Sequence, residues 1–149
     1  MQEIHVLAHC LLNPSVRLKG LNPPKRPNLS DNIIQLPCPE FIFMGPKRWE
    51  ITKEQLDIPH YRRFCRQIIK PVADTIEMLY RLGHSFTLVG VPGSPSCGAQ
   101  TTSTGMEGGR VHEAEHTHIQ GSGIFFEEVV CELGERGIKF NTMDLNITT

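Results

Sequence analysis

Short apolar runs that lie too far apart in sequence to form hairpins are the feature that most limits the fold of this chain. Four runs have the length and composition of strands. Helical or long crossovers between strands predict a mainly parallel sheet. We therefore expect an α/β, single-domain, three-layer, Rossmann-like fold over residues 1–149. The predicted strands are Ile4–Ala8, Asn32–Leu36, Phe86–Val91 and Ile138–Met143.

Two helices are predicted from apolar residues that recur three or four positions apart. The first covers Tyr61–Leu82, and Pro71 is expected to kink it or split it in two. The second covers about Gly123–Arg136. Residues 99–123 lack this periodicity and are expected to form a long loop. The prolines on both sides of Cys38 are expected to exclude regular structure there.

Charge and hydropathy argue against several classes of function. The chain has 149 residues, and its 15 Lys and Arg residues nearly balance its 16 Asp and Glu residues, so the net charge is −1. This balance argues against bulk electrostatic binding to nucleic acids or acidic membranes. No apolar run approaches the ~20 residues that span a bilayer. The first residues also lack the basic segment of a signal peptide. We therefore expect a cytoplasmic protein with neither a nucleic-acid nor a membrane partner.

Five cysteines are the most informative residues for function. Their odd number and the absence of a C-x-x-C pair do not fit a disulfide framework, a zinc ribbon or a thioredoxin-type motif. Cys10, Cys38 and Cys97 each follow a predicted strand, and the carboxyl ends of parallel strands form one ligand-binding edge. Cys65 and Cys131 lie within predicted helices, where free cysteine packs as a small hydrophobe. We expect three thiols to meet at the sheet edge and two to be buried.

Three thiols at one edge are compatible with more than one chemistry. Zinc sites with three protein ligands usually include histidine or carboxylate. A [4Fe–4S] cluster held by three cysteines leaves one iron without a protein ligand, and a thiophilic iron would favour substrate sulfur. The alternative is three independent cysteines, one of which acts as a nucleophile. The residues alone leave metal binding and independent cysteines both open.

Three short motifs carry a resemblance to a known family. They are C-L-L-N from Cys10, C-P-E from Cys38 and S-P-S-C-G from Ser94. The same signatures occur in the same order in the TudS-like (DUF523) thiouracil desulfurase family, and the match resembles its TudS-related desulfidase branch more than the main group. Where that family usually has Cys-Arg-Tyr-Asp-Gly, this chain has Val-Arg-Leu-Lys-Gly at residues 16–20. Substrate contacts can therefore differ from those to thiouracil.

The resemblance implies a [4Fe–4S]-dependent desulfurase with one open iron. Its expected partner is a small thiolated substrate such as a thio-nucleobase, from which sulfur is released as sulfide. The implied cluster ligands are Cys10, Cys38 and Cys97. The implied catalytic residues are Glu40 as the proton-transfer carboxylate and Ser94 as the substrate-positioning group, with Ser96 as the second candidate.

Two other functions stay open beside this leading hypothesis. One is a non-catalytic iron–sulfur or zinc module that senses redox state or carries sulfur. The other is a metal-free cysteine hydrolase that uses Cys97. The run His112–His118 could cover a substrate or bind a second metal. Basic residues near the first two motifs could offset the charge of a cluster, although we expect most of them to be solvated. They are Arg17, Lys19, Lys47 and Arg48.

Overall fold

A parallel sheet lies at the centre of the fold. The computed structural model describes residues 2–17, 32–104 and 117–145. The strands are β1 (Glu3–Leu7), β2 (Ile33–Gln35), β3 (Ser85–Gly90), β4 (Thr101–Thr104), β5 (Thr117–Gln120) and β6 (Asn141–Asp144). Four of them form one sheet in the order β2-β1-β3-β6, and each neighbouring pair is parallel. The predicted α/β fold with a parallel sheet is confirmed.

Within the residues that the structure describes, four α-helices and two short 3-10 helices connect these strands. The helices are α1 (Pro39–Met44), α2 (Lys53–Leu56), α3 (Pro59–Arg81) and α4 (Ile124–Glu135). The 3-10 helices, His9–Leu11 and Pro14–Val16, follow β1. None of the helices in the described ranges combines the length and apolar character that a bilayer crossing demands.

The two long helices form one layer against the sheet. The connections from β2 to β3 and from β3 to β6 step across the sheet in the same direction, so right-handed crossovers place α3 and α4 on one face. The two helices also pack against each other. The connection from β1 to β2 steps in the opposite direction, and residues 18–31 of it lie outside the described residues. The expected third layer therefore stays a prediction.

Helix α3 is more regular than the sequence predicts. It runs without a break through Pro71, so the expected split is wrong. Cys65, Ile69 and Ala73 are fully buried on its inner face. Because this packing lies on both sides of Pro71, it offsets the backbone hydrogen bond that proline removes. Gly83, with φ of 100°, follows the end of the helix as predicted.

Two segments predicted as irregular contain secondary structure. Cys38 is the N-cap of α1, and Pro39 begins that helix. The prediction there was wrong because proline fits the first helical position, where its missing N–H has no intrahelical partner. Residues 99–123 were predicted as a loop, but they contain the antiparallel pair β4–β5. The last strand begins at Asn141 rather than at Ile138, which packs into the core.

Glu132 of α4 is a buried carboxylate that joins the two long helices. Its side chain is 7% exposed and accepts hydrogen bonds from Arg66, Lys70 and Arg136. Burial raises the pKa of this carboxyl, but the bonds from Arg136 and Lys70 outweigh burial and hold the pKa below its ordinary value of 4.5. The charged form therefore stabilises the fold above the ordinary pKa. That contribution is lost as the pH falls through the lowered value.

We expect Glu132→Gln to lower the free energy of unfolding at neutral pH by about 1–3 kcal/mol, because it weakens hydrogen bonds between charged groups. The difference from wild type should shrink as the pH falls below 4.5, since the wild-type carboxylate is then protonated too. Urea unfolding at several pH values measures both effects. The control is Glu135→Gln, whose side chain is 64% exposed, with an expected change under about 0.5 kcal/mol. Equal losses in the two variants would contradict the prediction.

Candidate active site

Three cysteines line one cavity beside the sheet. Cys10 lies in the 3-10 helix that follows β1, Cys38 caps α1 after β2, and Cys97 lies in the turn between β3 and β4. The cavity has a volume of about 270 Å³, near the lower end of the range for small-molecule pockets. Besides the three thiols, its walls include Glu40, Ser94, Arg17 and Arg48.

The other two cysteines lie outside this cavity, in different environments. Cys65 is fully buried in the core on the inner face of α3, as predicted. Cys131 is exposed, so the prediction that it packs inside was wrong. The buried face of α4 contains Phe125, Val129 and Leu133, and Cys131 lies on another side of that helix. Its apolar sequence neighbours therefore did not indicate burial.

Burial is the main cause that keeps the three thiols of the cavity protonated, and charges of neighbouring cysteines add to it for Cys10 and Cys97. Burial raises the pKa of Cys10 to about 11, although the Arg17 guanidinium lowers it and negative charge on Cys38 raises it. Burial also raises the pKa of Cys38, and hydrogen bonds from backbone N–H groups of α1 partly offset this increase. Cys97 is the most buried of the three. Its pKa lies well above the ordinary value, first through burial and then through the charges of Cys38 and Cys10.

The arrangement of His, Cys, Asp and Glu side chains shows whether they are placed to bind a single metal ion. Within residues 2–17, 32–104 and 117–145, no group of three or more His, Cys, Asp or Glu residues is placed to hold a single metal ion. This finding concerns a single ion, whereas in a four-iron cluster each cysteine would bind a different iron. The run His112–His118, which could cover a substrate or bind a second metal, lies outside the described residues, apart from the backbone of Thr117 and His118 in β5.

Glu40 lies at the boundary between the cavity and the core. It occupies the first turn of α1 and is buried. Its Oε1 lies 3.6 Å from Nε of Arg48, and its carboxyl also forms a hydrogen bond with Ser96. Burial raises the pKa of Glu40, while the bond from Ser96 and the charge of Arg48 lower it, and burial dominates.

Arg48 is a structural part of the cavity wall and is an exception to the expectation that most basic residues near the motifs are solvated. Its side chain is only 7% exposed. Nη2 donates to the carbonyl of Val16 at 2.8 Å, and Nη1 donates to the carbonyl of Gly45 at 3.2 Å. The guanidinium therefore joins the segment after Cys10 to the end of α1. Lys19, by contrast, lies outside the described residues.

The two serines of the third motif have different surroundings. Ser94 lines the cavity, and its Oγ accepts a hydrogen bond from the backbone N–H of Cys97 at 3.0 Å. Ser96 is fully buried and is not among the residues that line the cavity. Its Oγ is hydrogen-bonded to the hydroxyl of Tyr61 at 2.8 Å. Ser94 can therefore contact a ligand, whereas Ser96 is placed to orient Glu40.

Sequence reasoning missed two residues that organise this region. Tyr61 has the apolar spacing of a core residue, and nothing in the pattern indicates its bond to Ser96. Asp144, at the end of β6, accepts hydrogen bonds from the backbone of the segment that follows Cys97. The sequence signal that could have identified Asp144 was its position after a predicted strand that ends at the same sheet edge as the strand before Cys97.

Comparisons with known proteins place the chain in a family without assigning it an activity. No protein-family model matches the chain, and no solved structure matches it with significant similarity. The chain is 31% identical over 105 residues to "Uncharacterized protein MJ0003" of Methanocaldococcus jannaschii. The alignment covers 64% of this chain and 67% of the archaeal protein. The chain therefore belongs to the same family as this archaeal protein.

Proposed function

We propose that the chain is a [4Fe–4S]-dependent desulfidase that removes sulfur, as sulfide, from a small thiolated compound such as a thio-nucleobase. The observation that carries the proposal is the cavity lined by Cys10, Cys38, Cys97 and the buried carboxyl of Glu40. These residues lie in the motifs that resemble those of TudS-like thiouracil desulfurases. The proposal includes a Rossmann-like arrangement in which each of the three thiols follows a strand of the parallel sheet.

The donor set suits a cluster with one open iron. Three thiols from separate segments line the cavity, and the two remaining cysteines do not. Cys10, Cys38 and Cys97 would hold the cluster. When bound, such a cluster supplies a thiophilic, Lewis-acidic iron for the substrate sulfur. We place this chemistry in the cytoplasm, where thiols stay reduced, since all five cysteines are free.

The charges of the cavity also favour metal-bound thiolates. Three thiolates on a cluster core of charge 2+ give a formal charge of about −1. Arg17 and Arg48 line the same cavity and supply positive charge. Without a metal, the raised pKa values of Cys10 and Cys97 leave these thiols protonated at neutral pH. Since the thiolate is the nucleophile, the metal-free cysteine hydrolase has less support.

Glu40 is the residue that we propose moves the protons. In the reaction, water adds to the thiocarbonyl carbon, the carbon–sulfur bond breaks and the sulfur leaves as hydrogen sulfide. The balance is C=S plus water giving C=O plus hydrogen sulfide, with no net oxidation or reduction. The carboxylate takes a proton from the attacking water and passes it to the leaving sulfur. Ser96 and Arg48 hold the carboxyl in place.

Ser94 is the proposed contact to the substrate. Its oxygen accepts the N–H of Cys97, and a hydroxyl can donate its own proton at the same time. That proton can therefore reach an acceptor atom of a substrate in the cavity. Support for this role comes from the position of Ser94 among the residues that line the cavity.

Anaerobic purification and reconstitution test the proposal directly. We expect about four irons and four sulfides per chain. The same sample should release sulfide from at least one thio-nucleobase, with one oxo product formed per sulfide. The control is the variant in which Cys10, Cys38 and Cys97 are all replaced by alanine. A stable cluster with no turnover of any thiolated compound would point to the non-catalytic module, and absence of iron would overturn the cofactor.

A further inference from the structure

Asp144 makes an unusual set of contacts at the end of β6. Its Oδ1 accepts the backbone N–H of Ala99 at 2.7 Å, and its Oδ2 accepts those of Gln100 and Thr101 at 2.9 and 3.0 Å. One carboxylate therefore binds three successive amides of the segment that follows Cys97. Hydrogen bonds to an ionised acceptor are stronger than neutral ones. The proposed reaction does not use this carboxylate.

The backbone of Cys97 is fixed in both directions. Its N–H donates to Oγ of Ser94 at 3.0 Å, and its carbonyl accepts the N–H of Val91 at 2.8 Å. A Cβ atom on Gly90 would lie 2.4 Å from that carbonyl oxygen and 2.8 Å from Oδ1 of Asp144. The end of β3, the Cys97 turn and Asp144 therefore meet with no room for a further atom. A shift of Asp144 would be transmitted directly to the turn.

We propose that Asp144 is a positioning residue that holds the thiol of Cys97 toward the cavity through the backbone of residues 97–101. Asp144 does not line the cavity itself, so it acts through the turn. The inference rests on the proposed function only in treating Cys97 as a cluster ligand. The positioning of the Cys97 turn by Asp144 does not require iron, so it is tested in the iron-free protein.

The test compares Asp144→Asn with the wild-type protein in the absence of iron. Asparagine keeps the shape but offers one acceptor oxygen to three N–H groups, and its amide N–H₂ faces the remaining donors. Alkylation of Cys97 by iodoacetamide should become about tenfold faster, because the turn that buries this thiol opens more often. Amide hydrogen exchange of Gln100, an exposed residue whose N–H is bonded, should accelerate as well.

Cys65 is the internal control, because it is fully buried in α3 away from the turn. General loosening of the fold would accelerate alkylation of Cys65 and Cys97 together, whereas loss of positioning accelerates Cys97 alone. The matched control variant is Asp74→Asn, which removes an exposed carboxylate that pairs with Arg136. Equal acceleration of the two thiols, or no acceleration of either, would overturn the inference.

Two further measurements test the role of Asp144 if the alkylation experiment cannot be completed with the variant. If Asp144→Asn does not fold, the wild-type amide of Gln100 still reports on the bond, and exchange at the rate of a free amide overturns the inference. In reconstituted Asp144→Asn, the cluster should be lost to a chelator about tenfold faster than in wild type. An unchanged half-life overturns the ligand-positioning role. A wild-type protein that binds no iron would overturn the proposed function and leave the alkylation result standing.

Discussion

Replacing Cys97 by alanine is expected to abolish cluster binding, with iron falling from about four per chain to below about one. Cys97 is the most buried of the three cavity thiols and follows β3, one of the two inner strands of the sheet. Alanine removes the sulfur and leaves the backbone of the turn unchanged, so only the ligand is lost. Two thiols would remain for a cluster that we propose needs three. The measurement is iron and acid-labile sulfide per folded chain after anaerobic reconstitution.

The two cysteines outside the cavity provide matched controls. Cys131→Ser removes an exposed thiol, and Cys65→Ala removes a buried one. Both variants should bind the wild-type amount of iron, because neither thiol lines the cavity. Cys10→Ala and Cys38→Ala should behave like Cys97→Ala. Full iron content in Cys97→Ala, or equal losses in all five variants, would refute the assignment of ligands.

The parallel sheet could be predicted from sequence because its signals are local. The run that forms β3 is mostly apolar and is buried at five successive positions, as expected for a strand covered on both faces. The recurrence of apolar residues three or four positions apart is an equally clear signal for the helix α3, whose fully buried face contains Tyr61, Cys65 and Ile69. Each of these two patterns lies within one continuous segment of the sequence, so it can be recognised without knowledge of the tertiary structure.

The missed elements lacked such local signals. β4 has the sequence Thr-Thr-Ser-Thr, which has no apolar alternation although threonine favours strands. It is held in place by the pairing with β5, a partner more than ten residues away. The helix α1 was missed because Pro39 was interpreted as a breaker instead of a first helical residue.

The contacts that organise the candidate site are long-range and therefore invisible in a linear pattern. Asp144 and Ala99 are 45 residues apart, and Tyr61 and Ser96 are 35 apart. Arg48 is one of the basic residues of which most were expected in solvent, yet its guanidinium donates hydrogen bonds to the carbonyls of Val16 and Gly45. The sequence could suggest which side chains carry chemistry, but the residues that orient them needed the structure.

Glu40→Gln is expected to lower the turnover of the reconstituted enzyme by about 100- to 10,000-fold, the range typical of a lost general acid–base group. Glutamine has nearly the same shape as glutamate and can still accept the hydrogen bond from Ser96. It cannot take up a proton from water and return it to sulfur. The iron content should stay at the wild-type value, because Glu40 is not among the proposed ligands.

Measuring turnover and iron in the same sample separates chemistry from cluster assembly. Glu135→Gln is the control for loss of one carboxylate, since Glu135 is exposed on α4 and pairs with Arg66 outside the cavity. That control should retain wild-type turnover. Ser96→Ala should fall between the two, because it leaves the carboxylate in place but removes a bond that orients it. Wild-type turnover in Glu40→Gln would show that another group moves the protons, and Ser94, already at the cavity wall, would then be the residue to replace.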